Sequence, residues 1–519
     1  MFSMTQLIKR AAQNQGQQIA TSDGARSQTW QEYIEKIACF AGGLRKLDVS
    51  NNDTVAILAL NSDRYFEFMF AVPWAGAIFQ PINTRLAGPE VLYWLNDSGA
   101  KVLFVDSHFV ALVEEIREEL NHVKSIVFID DAPLPSGYIG YETLITSSAI
   151  PDSNRSGDDI AGLFYTGGTT GRSKGVMLSH TNLVVNAMQA VPLIDCREAD
   201  KILHIAPMFH IADAFICMTS VIICGSNYFL PTFDPLSLMK IVQEKKIERM
   251  LLVPTMVNML VNHPDIGDYD LKSLRGIVYG ASPMPEPVIK KAMQKLPNAK
   301  FYQAYGQTEA APAISILSSE RHVFEGPLAG KMKSAGQAIP GVNLAIMNDE
   351  GEFLPPNTVG EICMQGPNVM TGYRNLTEQT ERTIVSGWLH TGDGGYLDEE
   401  GFLFIVDRVK DMIISGGENV YSAEVESALY QHAGINQCAV IGIPSEKWGE
   451  QVHAIVVLHE SVELDESTLI AHCKSLIASF KCPGSISFQS EPLPLSGAGK
   501  ILKTELRKPY WKNEDKNVS

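Results

Sequence analysis

The sequence predicts an α/β protein with a large N-terminal domain of helix-flanked β-sheets, a β-rich subdomain, and a small α+β domain at the C-terminal end. Three observations predict it. Short apolar runs of buried-strand type alternate with helical stretches over the first two thirds of the chain, which implies parallel sheets covered by helices. After about residue 335 the helices thin out and turn-separated strands take over. The charged cluster Asp407, Arg408, Val409, Lys410, Asp411 then follows directly on the apolar run 402–406, and αβ character resumes beyond it.

In chain order, residues 7–44 read as helical, with Ile34, Ile37, Ala38 and Ala41 on one face. Runs 54–60 and 102–105 read as strands, separated by helices at 64–74 and 89–95. The alternation resumes with strands at 201–205, 249–253 and 276–279 and helices at 235–246 and 285–296. The β-rich part has strands at 342–347, 360–364 and 401–406, parted by turns such as 348–351. The charged cluster reads either as a solvated turn or as a hinge between domains 1–406 and 407–519. Past it come helices at 422–431 and 464–480 and strands at 437–443 and 452–458.

Composition narrows the function. At 519 residues the chain exceeds what one core supports. A hydrophobic fraction of 45% and a charged fraction of 19% are those of an ordinary soluble globular protein. The net charge of −17 argues against a nucleic-acid partner, which needs a basic surface. Eight cysteines without a C-x-x-C pair exclude the usual zinc spacings and suggest free thiols in a reducing compartment. Residues 1–18 lack the apolar core of a signal peptide, and the apolar stretch 214–224 is too short to span a bilayer. No integral membrane segment is expected, and the default location is cytoplasmic. A homodimer is compatible with the sequence but not readable from it.

The densest motif runs from Tyr165 to Gly175. It packs four glycines, three threonines, a serine and two cations between two apolar runs. Glycines let backbone N–H groups converge on an anion, and Lys174 adds a mobile charge suited to phosphate. The spacing is not that of a Walker A loop, and the flanks read strand–loop–strand rather than strand–loop–helix, with Ser179 as cap of a later helix. A glycine-rich hairpin turn is the alternative. Four other segments stand out. Around Gln303, Ala304, Tyr305, Gly306, Thr308 and Glu309, an aromatic, a hydroxyl and a carboxylate could stack a purine, bind a phosphate and hold Mg²⁺. Asp393, after a glycine turn in Gly387-Trp388-Leu389-His390-Thr391-Gly392, could accept both hydroxyls of a ribose; taken alone, the segment reads more readily as a Trp-anchored turn with a surface Asp. The pair Gly416 and Gly417 offers a narrow passage or a plain turn. Lys500 sits on a glycine loop near the C-terminus.

These five segments, in this order, resemble the core motifs of the ANL superfamily of acyl-CoA synthetases, adenylation domains and luciferases, over nearly the whole chain. The resemblance implies that Thr166, Gly167, Gly168, Thr169, Thr170, Gly171 and Lys174 guide departing pyrophosphate. It implies an adenine site at Gly280, Ala281, Ser282, Gln303, Ala304 and Tyr305, with Gly306 closing that segment. Thr308 becomes the α-phosphate ligand, Glu309 the Mg²⁺ carboxylate, Asp393 and Arg408 the ribose pair, and Asp407 the hinge. Lys500 bridges the substrate carboxylate and the α-phosphate.

The implied chemistry has two steps: a carboxylate attacks the α-phosphorus of ATP, then a thiol attacks the acyl-adenylate and expels AMP. No general base is needed in the first, because the carboxylate is already ionised. In the family the small domain is mobile and swings about the hinge between steps. The segment with Gly416 and Gly417 resembles the coenzyme A ligase version, and no fused carrier domain is expected after Lys500. The acyl pocket is expected near His210, Ile211, Ala212, Val278, Tyr279 and Gly280. Where hydroxycinnamate ligases carry polar groups, this chain has Ala212, Phe215 and Val278, which suits a hydrocarbon chain. A medium- or long-chain fatty acid is the first expectation. Tyr279 could narrow the tunnel toward short or aromatic acids, and transfer to a carrier protein is the other alternative.

Overall fold

The computed structural model describes residues 2–166, 173–282, 284–408, 413–415, 418–445, 448–460, 462–496 and 501–511. Four sheets organise the chain. The first, of eight strands, runs Gly372–Tyr373, Lys174–Ser179, Ile160–Thr166, Ile78–Pro81, Thr54–Leu58, Val102–Val105, Ser125–Phe128, Ile139–Gly140. Its centre is parallel, and the Ile160–Thr166/Lys174–Ser179 hairpin and the Gly372–Tyr373 strand are antiparallel additions at one end. The second, of nine strands, has a parallel centre formed by Ser226–Phe229, Lys201–His204, Arg249–Leu252, Gly276–Gly280 and Lys300–Gly306.

The two sheets share one layer of helices. Alternate residues Val55, Ile57, Phe79 and Phe104 of the first sheet and Ile202, Phe229, Leu251 and Val278 of the second belong to one core cluster. The intervening residues Ala56, Leu58, Leu103 and Val105, and Leu203, Met250, Ile277 and Tyr279, face two separate outer clusters. Every residue of the shared Asp63–Trp74 helix is buried. A helix buried all round needs walls on both sides, which the two sheets supply. The apolar stretch 214–224 falls largely in another shared helix, Ile211–Ile222. No helix among the described residues is long and apolar enough to cross a membrane.

Side-chain caps set several helix starts. Thr29 forms a capping box with Glu32 ahead of Trp30–Lys46, Ser179 does the same with Asn182 ahead of His180–Ala190, and Asp234 caps Pro235–Lys245. One expectation is corrected. Residues 7–44 are not continuously helical: the helices Met4–Gln15 and Trp30–Lys46 are separated by the hairpin Ile19–Asp23/Arg26–Thr29. Ile19–Asp23 is held by parallel pairing with Ser226–Phe229, a partner two hundred residues away that no local pattern reveals.

The β-rich part is a five-stranded sheet of Asn343–Met347, Gly360–Gln365, Trp388–Leu397, Ile384–Val385 and Leu403–Arg408. The small C-terminal domain has its own sheet, including the long antiparallel pair Ile435–Ser445/Gly449–Leu458, with helices Ser422–Tyr430 and Glu466–Leu476 packed on it. All eight cysteines are free.

Candidate active site

The glycine-rich motif joins the two strands of a hairpin whose last pair is Thr166 and Lys174. Gly167, Gly168, Thr169, Thr170 and Gly171 lie outside the described residues. Its base is braced from below: Tyr165 stacks on Trp94 at 4.9 Å and donates to Asp97 Oδ2 at 2.5 Å, while the Tyr93 hydroxyl donates to the Ser173 carbonyl at 3.2 Å. Lys174 leaves the hairpin with its Nζ 5.0 Å from the centre of the Tyr373 ring, a cation–π contact. Tyr373 comes from the two-residue strand paired to the hairpin edge, opposite Val176.

That tyrosine joins the hairpin to a second segment. Its hydroxyl donates to Glu309 Oε1 at 2.8 Å. Burial and the Glu309 charge raise the Tyr373 phenol well above its usual range, so it stays a donor. Thr308, buried, and Glu309 form a single turn after the Lys300–Gly306 strand. Asn368 holds that turn by donating to the carbonyls of Ala310 at 2.8 Å and Ala313 at 2.9 Å.

Neighbouring parallel strands deliver the segments expected to hold adenine. Gly280 ends Gly276–Gly280 opposite Ala304, and a Cβ there would lie 2.1 Å from the Ala304 carbonyl oxygen. Gly306 is tighter still, with a Cβ position 1.8 Å from the Pro312 oxygen. Both positions admit only glycine without moving backbone. The chain then leaves the sheet through Ala281, at φ 69°, and Ser282.

Asp393 meets the same strands from the third sheet. The Tyr305 hydroxyl donates to Asp393 Oδ2 at 2.8 Å. The sequence reads Asp393 as following a turn; it lies inside the long strand Trp388–Leu397, at a bulge. Glu361 holds this bulge, accepting the Gly392 N–H on Oε1 at 2.8 Å and facing His390 Nδ1 with Oε2 at 2.7 Å. Asp407 and Arg408 end the adjoining strand, opposite Gly394 and Asp393. Gly416, Gly417 and Lys500 lie outside the described residues; Ser496, which precedes the lysine loop, accepts a hydrogen bond on its carbonyl from Arg85 at 2.7 Å.

The expected acyl wall is built differently. His210 is the N-cap of Ile211–Ile222, its Nδ1 accepting from the Ala212 N–H at 3.2 Å. Asn61 fixes the approach to it, donating to the Ala206 carbonyl and accepting from the Met208 N–H, both at 2.8 Å. Ile211 and Val278 belong to the core cluster between the sheets, with Ala212 packed against it. Tyr279 points the other way, into the outer cluster, because successive strand residues alternate faces. There its hydroxyl lies 2.9 Å from His322 Nε2, and His322 Nδ1 lies 2.9 Å from the Ser318 carbonyl. A carbonyl accepts only, so Nδ1 carries the proton and Tyr279 donates to Nε2. Burial lowers His322 to about 4, which keeps the ring neutral.

The structure therefore gathers Thr166, Lys174, Gly280, Ala281, Gln303, Ala304, Tyr305, Gly306, Thr308 and Glu309 near neighbouring strand ends and the turns that follow them, with Asp393 brought in from a bulge of the third sheet. Sequence reasoning missed Tyr373, Glu361, Asn61, Asn368 and His322. Each acts through a contact made across the fold, and none sits in a motif.

Comparisons with known proteins identify the family. The AMP-binding enzyme family matches residues 8–374, and the AMP-binding enzyme C-terminal domain matches residues 424–500. A feruloyl-CoA synthase of Amycolatopsis sp is 36% identical over 492 residues, covering 95% of this chain and 96% of that protein. A long-chain-fatty-acid–CoA ligase of Mycobacterium tuberculosis is 34% identical, covering 90% of each. The crystal structure of the anthranilate CoA ligase AuaEII in complex with anthranoyl-AMP superposes with a TM-score of 0.90 at 25% identity, covering 98% of this chain and 97% of that one. With both family domains matched and relatives above 30% identity aligned end to end, the chain belongs to the AMP-binding enzymes of the ANL superfamily, as an AMP-forming acyl-CoA ligase.

Proposed function

We propose that this ligase activates a medium- or long-chain fatty acid, and that the residues gathered at the strand ends carry the adenylation step. The observation that carries the site reading is the pair of tyrosine bridges, Tyr305 to Asp393 and Tyr373 to Glu309, which tie the segment 303–309 to two others distant in sequence. In this reading Gly280, Ala281, Ser282, Gln303 and Ala304 flank the adenine, and Asp393, oriented by Tyr305, accepts the ribose hydroxyls with Arg408 beside it. Thr308 donates to the α-phosphate. The loop 167–171 and Lys174 hold the β- and γ-phosphates as pyrophosphate leaves.

Glu309 and Thr308 offer hard oxygen donors, a set that fits magnesium, which when bound would neutralise charge on the phosphates. Lys500 places a cation between the acid carboxylate and the α-phosphate, where negative charge builds during attack. Coenzyme A is the acceptor, reaching the adenylate past Gly416 and Gly417 once the small domain has turned about Asp407.

The choice of acid rests on the Val278 face. Val278, Ile211 and Phe215 are apolar and share one cluster, while Tyr279 is turned to the opposite side of the sheet. Apolar lining favours a hydrocarbon tail over a phenolic ring that needs polar partners. The test is AMP release over a panel of alkanoic, arylalkanoic and hydroxycinnamic acids, with coenzyme A present and absent. Alkanoic acids should give the highest kcat/KM. Preference for an aromatic acid overturns the substrate, and no CoA-dependent AMP from any acid overturns the acceptor.

A further inference from the structure

Two groups of histidine, cysteine and carboxylate side chains among the described residues lie close enough to share one cation. The first, His204, Asp213 and Cys217, is wholly buried, and both His204 nitrogens are engaged, Nδ1 with Asp213 at 2.9 Å and Nε2 with Asn227 Oδ1 at 2.9 Å. The Asn227 amide nitrogen donates to the carbonyls of Ala20 and Gly225, so its oxygen faces the ring and Nε2 carries a proton. That group is sealed from solvent, with no approach for an ion.

The second group is partly exposed, with Glu361 and His390 reaching solvent and Cys363 buried beneath them. Glu361 and Cys363 are two residues apart on Gly360–Gln365 and so share a face, and Cys363 is paired directly with His390 on the antiparallel neighbour. His390 Nδ1 lies 2.7 Å from Glu361 Oε2 and 3.4 Å from Cys363 Sγ. Zinc bonds of about 2.0–2.3 Å in a tetrahedron put donor atoms roughly 3.3–3.7 Å apart. The sulfur–nitrogen spacing already matches, and the carboxylate oxygen has only to move outward by about half an ångström. The free-standing end of the carboxylate is oriented too: Oε1 accepts the Gly392 N–H at 2.8 Å, the kind of outer hydrogen bond that fixes a ligating carboxylate. The side chains of His390 and Glu361 are 21% and 28% exposed, which leaves an entry path. Cys363 has no part in the adenylation site proposed above.

We propose that Glu361, Cys363 and His390 form a zinc site, completed by a water or another outside ligand. Without an ion, burial and the Glu361 charge push the Cys363 thiol up to about 12. Binding therefore releases the thiol proton to solvent, and the His390 ring proton moves from Nδ1 to Nε2, leaving thiolate, neutral imidazole and carboxylate as donors. Because Gly392 precedes Asp393, an ion held here stiffens the bulge that carries Asp393.

The test uses the full chain, stripped of metal, in competition with a chromogenic zinc chelator. One ion per chain is expected, with affinity falling at least about a hundredfold in Cys363→Ala and about tenfold in Glu361→Gln. Cobalt in place of zinc should give tetrahedral visible bands and a thiolate-to-cobalt charge-transfer band in the wild type, both absent from Cys363→Ala. Metal-free Cys363→Ala should keep the acyl-CoA ligase activity of the metal-free wild type. Absence of stoichiometric binding, equal affinity in Cys363→Ala, or cobalt spectra without the thiolate band each overturn the proposal. Should Cys363→Ala not fold, Glu361→Gln at wild-type affinity does so as well.

Discussion

On the proposed nucleotide side, polar groups are held by directional bonds from other parts of the fold: Tyr305 on Asp393, Tyr373 on Glu309, Asn368 on the turn between them. On the proposed acyl side, Ile211, Phe215 and Val278 are held by shape alone, within the core shared by two sheets. The first kind of construction tolerates few replacements, because each bond needs a particular donor and acceptor at a particular distance. The second tolerates many, since apolar side chains of similar volume exchange at small cost. On the proposed reading, recognition of ATP is written in particular residues and recognition of the acid in volume.

Perturbing each side should separate the two. The largest effect is expected at Lys500. Lys500→Ala should slow adenylation by about 10²–10³-fold, the loss seen when one charge-stabilising donor is removed from a reacting centre. Thioester formation from supplied acyl-AMP should survive, and equal loss of both half-reactions in a folded variant would break the domain-turning account. Next comes Tyr305→Phe, which removes a hydrogen bond to a carboxylate and should raise KM for ATP about tenfold, leaving KM for the acid unchanged. A parallel rise in both constants would show that the two sides are not separate.

On the acyl side, Val278→Phe should lower kcat/KM for the longest accepted acid about tenfold relative to a shorter one, with KM for ATP unmoved. An unchanged chain-length profile would remove Val278 from the wall. The smallest effect on turnover is expected at His322, which lies behind Tyr279. Its folded pKa of about 4 is below the ordinary value of 6.5, so the unfolded chain binds more protons between them. Its contribution to stability is present above pH 6.5 and is lost as pH falls toward 4, amounting to about 3 kcal/mol at most. His180 shares this sign, and Glu67, raised to about 7 by burial, has the opposite one. The difference between wild type and His322→Gln in urea-unfolding free energy at pH 7.5 and pH 5 isolates the His322 part, and equal slopes would refute it.

The same contrast governs how much was legible beforehand. Strands such as Val102–Val105 and Gly276–Gly280 announce themselves as apolar runs between turns, and Ser179 announces a helix start. The hairpin at Ile19–Asp23 does not, because its sequence is polar and its pairing partner is Ser226–Phe229. The strand containing Asp393 also escapes, since its bulge looks like a turn until Glu361 is seen to hold it. Likewise the absence of C-x-x-C spacing speaks only to zinc sites built within one segment. Glu361, Cys363 and His390 are brought together by strand register, which no spacing rule detects.

By itself the sequence determined the chemistry class, because phosphate, ribose and carboxylate recognition need particular side chains in local clusters such as 165–175 and 303–309. It also determined the α/β architecture, through apolar runs whose period follows from backbone geometry. Only the tertiary structure decided what each face of the Gly276–Gly280 strand meets, turning Val278 toward the shared core and Tyr279 away from it. It likewise decided which tyrosines hold the two carboxylates. The reason is that a side chain's direction depends on the strand pairing and on what packs behind it, and both are settled between segments rather than within them.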